Sequence, residues 1–283
     1  MKTLHDITQH LSSLDLLHCD EEQVRNLIAQ IPSYALPILR VPKGSYFLRA
    51  TSLDMNEEVT LKRLSYKQKN KISSNDTFQR ATICGETIFY SVLLNSTQNN
   101  DVTDARALSL AEACRFFREE DVSDGIYRAA ISEWRTTVDL NLCSIVSITG
   151  SNKSKCFQQI KQDCTYQMCE YYHQTDYDYQ SNFQDFMAMQ FRKPVEKGKE
   201  KEYMISAYYT HHLRTILADI IAGICYESAV NVDEKLNNTL CAAIFSEYVD
   251  SSKLLCSSKY LECKFERRNG IISQSYYPMK LLN

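Results

Sequence analysis

A long helical stretch set between groups of short apolar runs is the feature that most constrains the fold. Residues 153–217 have a mainly helical pattern, interrupted by a Lys-rich break at 192–199. Apolar runs of strand length lie on either side, at 142–148, 220–226 and 240–245. Because helices and strands are grouped rather than alternating one by one, the sequence predicts an α+β fold.

The first third of the chain predicts helices, then strands, then one more helix. Residues 5–32 carry apolar positions at helical spacing. Short β-like runs follow at 46–49 and 87–92. Residues 103–120 predict a helix, and Glu112 lies beside the apolar face of this helix.

The length and composition favour one main domain with small additions. The chain has 283 residues, of which 44% are hydrophobic, and this is enough for one sizeable core. We expect a helical N-terminal lead-in over 1–42 and the main domain over 43–250. A C-terminal β extension over 251–283 is expected to pack on the same domain.

Charge and hydropathy argue against several partners. The formal net charge is −3 and the pI is about 6.1, which gives no general attraction for nucleic acid or an anionic membrane. No run approaches the ~18 apolar residues that a membrane span needs. The first residues show no basic region followed by an apolar run. We therefore expect a cytoplasmic protein that binds neither membrane nor nucleic acid directly.

The cysteines and histidines predict no metal site. There are eleven cysteines, an odd number at scattered positions, which favours reduced and mostly buried thiols. His211 and His212 are adjacent in a predicted helix, where neighbouring side chains diverge by about 100°, so one metal ion would not be bound by both.

Several phosphate-binding and hydrolase motifs are absent from the sequence. It has no Gly-x-x-x-x-Gly-Lys-Ser/Thr loop, no Gly-x-Gly-x-x-Gly, no Gly-x-Ser-x-Gly and no His-Glu-x-x-His. With only seven glycines, a phosphate cradle made of backbone is hard to assemble. Arginine side chains would have to hold the phosphates of any nucleotide.

Tyrosines are crowded between residues 166 and 179, together with His173. Aromatic rings can stack on nucleic-acid bases. The surrounding charge is acidic, however, with Glu170, Asp176 and Asp178 in the same stretch. We therefore favour a helix-packing surface over a nucleic-acid interface.

One set of residues resembles a known family in its order and spacing. Arg80 is followed after five residues by Gly85 and after ten by Tyr90, which lies in a predicted strand. Glu112 lies on the next helix, and a late Gly-Ile-x-Tyr-x-Ser run ends at Ser228. This pattern resembles the RES domain, a family named for its Arg, Glu and Ser residues.

Flanking segments extend the resemblance to about residues 43–250. The run 47–50, with Arg49, resembles the opening strand of the family, and Arg63-Leu-Ser-Tyr66 and residues 203–207 resemble segments of a longer branch of it. Two positions depart from the family pattern. Gln79 stands where the family often has Gly, and Thr82 where it often has Asn.

The resemblance implies an ADP-ribosyltransferase-like fold, a split β-sheet core with flanking helices. It also implies that NAD is the substrate rather than a cofactor, and that the bond between nicotinamide and ribose is cleaved in a toxin-like depletion of NAD. That bond breaks through an oxocarbenium-like state, which favours positive charge at the diphosphate and negative charge near the sugar.

The family's roles can be carried over to matching positions. The catalytic residues implied are Arg80, Tyr90, Glu112 and Ser228. Arg80, with Arg49, would hold the diphosphate, because a guanidinium grips phosphate oxygens with two parallel bonds. The other implied roles are nicotinamide stacking for Tyr90, NAD binding for Tyr66, ribose binding and cation stabilisation for Glu112, and an additional hydrogen bond for Ser228.

The sequence is compatible with more than one activity. With water as acceptor the enzyme is an NAD glycohydrolase, and with inorganic phosphate it is an NAD phosphorylase. A second hypothesis is that the enzyme transfers ADP-ribose to a macromolecule. A third is a non-catalytic NAD-binding module, motivated by Gln79 and Thr82. The resemblance also implies a separate helix-turn-helix antitoxin or an immunity protein as partner, and a homodimer.

Overall fold

The structure, a computed structural model, describes most of the chain. The described residues are 2–67, 77–94, 99–114, 117, 122–229, 239–269, 271–277 and 279–282. Within them the helices are α1 (Leu4–Ser12), α2 (Glu21–Ala29), α3 (Leu61–Leu64), α4 (Asn99–Ala113), α5 (Lys155–Tyr171), α6 (Gln174–Arg192), α7 (Met204–Ile216) and α8 (Ser246–Asp250). The strands are β1 (Ile38–Val41), β2 (Tyr46–Leu53), β3 (Ile88–Leu94), β4 (Gly125–Thr136), β5 (Leu140–Ile145), β6 (Gly223–Tyr226), β7 (Leu240–Phe245), β8 (Leu254–Arg268), β9 (Ile271–Tyr276) and β10 (Lys280–Leu281).

The residues form two compact units, each built from discontinuous segments. The first unit contains Met1–Arg40, Lys69–Ile88 and Asn141–Ala229. The second contains Val41–Gln68, Phe89–Leu140 and Val230–Asn283. The segment boundaries expected after residues 42 and 250 stay predictions.

The first unit begins with the two helices that the sequence predicts. Thr3 caps α1, since its side chain accepts from the Asp6 backbone N–H and the Asp6 carboxylate accepts from the Thr3 backbone N–H. Asp20 caps α2 in a similar way by accepting from the N–H of Glu22. Apolar side chains such as Ile7 are fully buried, so tertiary packing stabilises these short helices.

Strands and long helices make up the rest of the first unit. β5 lies between β1 and β6, and β5 runs parallel to β6 with Leu142 opposite Gly223. A parallel pair needs a long crossover connection, and α5, α6 and α7 supply it. The predicted helical stretch over 153–217 is thus confirmed, with its break between α6 and α7.

The second unit is dominated by antiparallel strands. Its strand order is β7-β3-β2-β4-β8-β10, with β9 also paired to β8. β2 is antiparallel to both neighbours, with Phe47 opposite Leu93 of β3 and Trp134 of β4. Phe47, Phe89 and Trp134 are buried at this centre, and the rings of the last two meet edge to face at 4.8 Å.

One face of this sheet is covered by α3. Leu64 of α3 packs with Leu53 of β2 and Tyr260 of β8. Successive side chains of a strand point to opposite faces, so Arg49 shares a face with Leu53. We call this the α3 face.

The opposite face is covered by α4. Phe117, just after this helix, packs edge to face on Phe265 at 4.8 Å between ring centroids. Phe265 pairs with Tyr127, whereas Ser132 pairs with Arg49. Positions 127 and 132 alternate to opposite faces, so α4 lies on the face away from Arg49. We call this the α4 face.

The helix predicted over 103–120 is α4, shifted toward the N-terminus. It spans Asn99–Ala113. The predicted continuation over 115–116 and 118–120 falls outside the described residues.

The coarse fold prediction, α+β, is confirmed by this grouping of strands and helices. All eleven cysteines lie in the described part of the chain, none of them forms a disulfide bond, and six are buried, as the sequence predicts. Across the described residues, no helix combines the length and the apolar character that a membrane crossing requires.

A buried carboxylate ties three strands of the second unit together. Glu262 of β8 accepts from Arg128 of β4, at 2.6 Å and 3.0 Å, and from Lys280 of β10. Burial alone would raise the pKa of Glu262, but the hydrogen bonds from Lys280 and Arg128 outweigh it and lower the pKa. The ionised form therefore stabilises the fold.

This predicts a stability difference that depends on pH. Glu262→Gln should lower the free energy of unfolding by about 2–3 kcal/mol near pH 7. Because the folded pKa lies below the unfolded value of about 4.3, the difference should persist above that pH and shrink as the pH falls through the folded value. Urea unfolding at several pH values measures it. Glu266→Gln removes a half-buried carboxylate whose partner on the same strand, Arg268, is exposed, and as the control it should change little. A difference independent of pH would contradict the prediction.

Candidate functional site

The site residues predicted from the sequence are divided between the two units. Arg80 and Ser228 belong to the first unit. The second unit holds the other four, which are Arg49, Tyr66, Tyr90 and Glu112.

Arg80 is buried and held by neutral groups. Its Nη1 donates to the carbonyl oxygens of Phe191 and Lys193, the latter at 3.1 Å. Its guanidinium carbon lies 5.0 Å from the centre of the Tyr203 ring, and Nη2 is 3.4 Å from the Tyr203 hydroxyl. Phe191 is in the last turn of α6, whose carbonyls lack helical partners, so Arg80 caps that helix end.

The loop that carries Arg80 is shaped by backbone bonds. The N–H of Gln79 donates to the carbonyl of Thr82 at 3.0 Å, and the N–H of Thr82 donates back at 3.1 Å. Gln79 and Thr82 are the two positions that depart from the RES pattern. Because both bonds involve only backbone atoms, the departures leave this tight turn intact.

Gly85 of the same loop has a φ of +83°, a left-handed conformation that side chains rarely adopt. A Cβ built at Gly85 meets no atom within 4 Å. The conformation, and not crowding, is therefore what favours glycine five residues after Arg80.

Glu86, the next residue, anchors the end of the loop to α7. Its carboxylate lies 2.8 Å from Nδ1 of His211 and 3.6 Å from Nη1 of Arg214. The sequence alone predicts no role for this acid. Its position directly after the motif glycine was the available signal.

Arg49 lies on the α3 face and binds the backbone of β3. Nη1 donates to the carbonyl of Tyr90 at 2.6 Å, and Nε to the carbonyl of Ser65 at 3.2 Å. The guanidinium carbon is 5.2 Å from the centre of the Phe89 ring. Burial lowers the pKa of Arg49 to about 10, and the charge of Arg63 adds to the shift. Arg49 thus remains protonated at neutral pH.

Tyr66 is buried, and its hydroxyl donates to the Asp250 carboxylate. Burial, followed by this hydrogen bond, raises the pKa of Tyr66 to about 12. The phenol is neutral at physiological pH and ties the segment after α3 to the end of α8.

Glu112 and Tyr90 share the α4 face. Glu112 is half-buried on α4, and the thiol of Cys241 on β7 donates to its Oε1 at 3.6 Å. The Phe89 ring lies against Arg49 on the α3 face, so the next residue, Tyr90, points to the α4 face. Glu112 contacts β7, and β7 is next to β3, which carries Tyr90, so the two residues lie over neighbouring strands on the same face. Arg49 lies on the other.

Ser228 is half-buried, two residues beyond the end of β6. The preceding residue, Glu227, is buried, lies 2.6 Å from Nη2 of Arg192 and accepts from the backbone N–H of Ser154 at 2.8 Å. These bonds fix the end of β6 next to Ser228. The two partners of this buried ion pair are 35 residues apart in the sequence, and no local pattern predicts it.

Comparisons with known proteins add no relative to this picture. No protein-family model, no curated protein and no solved structure matches the chain.

The capping contacts of Arg80 predict a large loss of stability when it is replaced. Arg80→Gln should lower the free energy of unfolding by about 2–4 kcal/mol, because buried carbonyls at the end of α6 lose their donor. Urea denaturation followed by circular dichroism measures this. Arg25→Gln, which removes an exposed arginine paired with Glu22, should cost at most about 0.5 kcal/mol. Equal effects of the two substitutions would contradict a capping role.

Gly85 and Gly198 form a matched pair. Both have positive φ, +83° and +87°, and neither has an atom within 4 Å of a Cβ built on it. Alanine at either position should therefore cost a similar free energy of unfolding, about 1–2 kcal/mol, from backbone strain alone. Thermal and urea unfolding test this. Unchanged stability in Gly85→Ala would show that the loop relaxes and does not require the left-handed conformation.

Proposed function

We propose that the chain cleaves NAD between nicotinamide and ribose, as an NAD glycohydrolase or phosphorylase with an ADP-ribosyltransferase-like split-sheet core. The observation that carries the proposal is the buried Arg80 in a loop that resembles the RES motif. Among the described residues, its contacts are two carbonyls and a tyrosine, and none is a carboxylate. Its positive charge is therefore not neutralised by an ion pair in this part of the chain.

An un-neutralised guanidinium suits a diphosphate. The carbonyl contacts use Nη1, whereas Nε makes no hydrogen bond to a described residue. Phosphate oxygens bind an arginine with two parallel bonds from Nε and Nη2 when both are offered. The weak 3.4 Å contact of Nη2 with Tyr203 would be exchanged for such a bond.

Glu112 is the proposed stabiliser of the ribosyl cation. As the glycosidic bond breaks, positive charge develops on the sugar, and a fixed carboxylate lowers the energy of that state. Tyr90, on the same face, is proposed to stack on the nicotinamide ring. Ser228 is proposed to add a hydrogen bond to the substrate.

Arg49 was expected to bind the diphosphate, but a different role is proposed for it here. Its guanidinium lies on the α3 face and binds the carbonyl of Tyr90. It is therefore proposed as a positioning residue that holds β3 under the Tyr90 ring. Arg49 also binds the carbonyl of Ser65, and the next residue, Tyr66, is held by Asp250 of α8.

A second candidate is a non-catalytic NAD-binding module. The contacts of Arg80 with Phe191, Lys193 and Tyr203 favour it, because they give this arginine a structural purpose without any reaction. Calorimetry that detects NAD binding, together with no turnover over hours, would support this module and exclude the enzyme.

The decisive measurement is nicotinamide release from NAD, by chromatography, with and without inorganic phosphate. The natural chain should release nicotinamide, and the product should be ADP-ribose in water or its phosphorylated form if phosphate is the acceptor. Glu112→Gln should be slower by about 100-fold or more, because it removes the charge that faces the developing cation. Glu133→Gln, a half-buried carboxylate on β4, is the matched control and should keep full activity.

Other results would contradict a role of Glu112 or favour a different activity. Equal rates for Glu112→Gln and the natural chain would remove Glu112 from the chemistry. Labelled NAD that marks a macromolecule instead of yielding free product would favour ADP-ribose transfer. The glycine pair separates stability from activity, since Gly85→Ala should impair turnover and Gly198→Ala should not, at similar cost to stability.

A further inference from the structure

Tyrosine rings are exposed where α5 ends and α6 begins. The exposed fractions are 71% for Tyr166, 75% for Tyr171 and 37% for Tyr172. The sequence favoured a packing role for the tyrosines of this stretch, and Tyr179 does pack, with its ring stacked 5.0 Å from that of His5. For Tyr166 and Tyr171 the prediction is wrong, because their rings face solvent in the first unit.

These rings lie around the C-terminal end of α5, a region that we call the α5–α6 corner. It consists of Asp163, Tyr166, Glu170, Tyr171, Tyr172 and Asp176. The first three are spaced by three and four residues along α5, so they form one stripe. The next two are the last residue and the C-cap of α5, and Asp176 lies in the first turn of α6. Tyr171 is five residues after Tyr166, so their side chains diverge by about 140° around the helix axis. The corner therefore wraps around the end of α5 and is not one flat face.

The surface is acidic and lacks basic residues of its own. From 162 to 191 the sequence contains five Asp or Glu residues and no Lys or Arg. Four of the acids are exposed, and the fifth, Asp185, accepts from the backbone N–H of Ile148 at 2.6 Å. Asp163 accepts from the neutral amide of Gln159 at 3.0 Å. Among the described residues, no ion pair neutralises the acids of the corner.

Exposed tyrosine rings close to carboxylates that lack an ion pair favour a partner that carries arginine side chains. A guanidinium stacks on a tyrosine face and pairs with a carboxylate in the same contact, with more planar overlap than an ammonium group offers. Nucleic acid and anionic lipid would be repelled by the acids. A purely apolar partner would bury carboxylates without compensation, which is costly.

We propose that the α5–α6 corner docks an arginine-rich segment of a partner protein. This surface is separate in composition from the residues proposed for NAD cleavage, so the proposal stands or fails independently of that activity.

The test uses the full chain and a fluorescein-labelled nona-arginine peptide, followed by anisotropy in moderate salt. The natural chain should bind it, and Tyr166→Ser with Tyr171→Ser should weaken binding by about 10-fold, as expected for the loss of two cation–π contacts. The matching Phe double variant keeps both rings and should bind like the natural chain. Nona-lysine should bind several-fold more weakly than nona-arginine.

Two controls isolate the surface. Glu196→Gln removes an exposed acid outside the corner and should leave the affinity unchanged. Asp163→Asn with Glu170→Gln should weaken binding and flatten its salt dependence. Unaltered thermal unfolding, checked by circular dichroism, shows that each variant is folded.

Three outcomes would overturn the proposal. Equal affinity of the Ser double variant and the natural chain would show that the rings do not contribute. Equal affinity for the lysine and arginine peptides would reduce the effect to general charge attraction. Dimerisation of the chain without peptide, lost in the Ser double variant, would assign the corner to a second copy of this chain.

Discussion

Strand β2 is paired along both edges and covered on both faces, and this constraint fixes where the second unit's candidate residues point. Its register with β3 and β4 sets the face of every neighbouring side chain. A slip of one residue would move Arg49 to the α4 face and Phe47 out of the aromatic centre. The separation of Arg49 from Glu112 is therefore a consequence of sheet pairing, and a rotamer change could not undo it.

Both candidate arginines show how a chain can bury a cation without neutralising it. Arg80 and Arg49 are satisfied by backbone carbonyls and by aromatic rings. Carbonyl dipoles offset part of the desolvation free energy of the guanidinium and leave its net charge in place. A carboxylate partner would offset more of this free energy, but it would neutralise the charge that attracts an anion. The same contacts thus stabilise the fold and leave positive charge inside each unit.

The sequence predicted the elements with strong periodicity and missed those whose stability depends on distant partners. Helices α1 and α2 carry apolar stripes and capping residues, and the stretch of α5 to α7 carries apolar positions at helical spacing, so the local pattern was enough. Strand β4 was missed because Arg128, Glu133 and Arg135 interrupt its apolar run. In the structure Arg128 is balanced by Glu262, 134 residues away, a partner that no local window contains.

Among the candidate site residues, too, those with a local sequence pattern were predicted, and those that depend on distant partners were not. The glycine five residues after Arg80 was recognisable from spacing, and its left-handed conformation gives a physical reason for it. Two acids next to motif residues, Glu86 and Glu227, were not assigned a role, since each pairs with an arginine on a remote helix, Arg214 for Glu86 and Arg192 for Glu227. Each acid holds the segment that carries a candidate residue, Gly85 in one case and Ser228 in the other. Replacing either acid should therefore disturb that segment through backbone displacement, even though neither acid needs to touch a substrate.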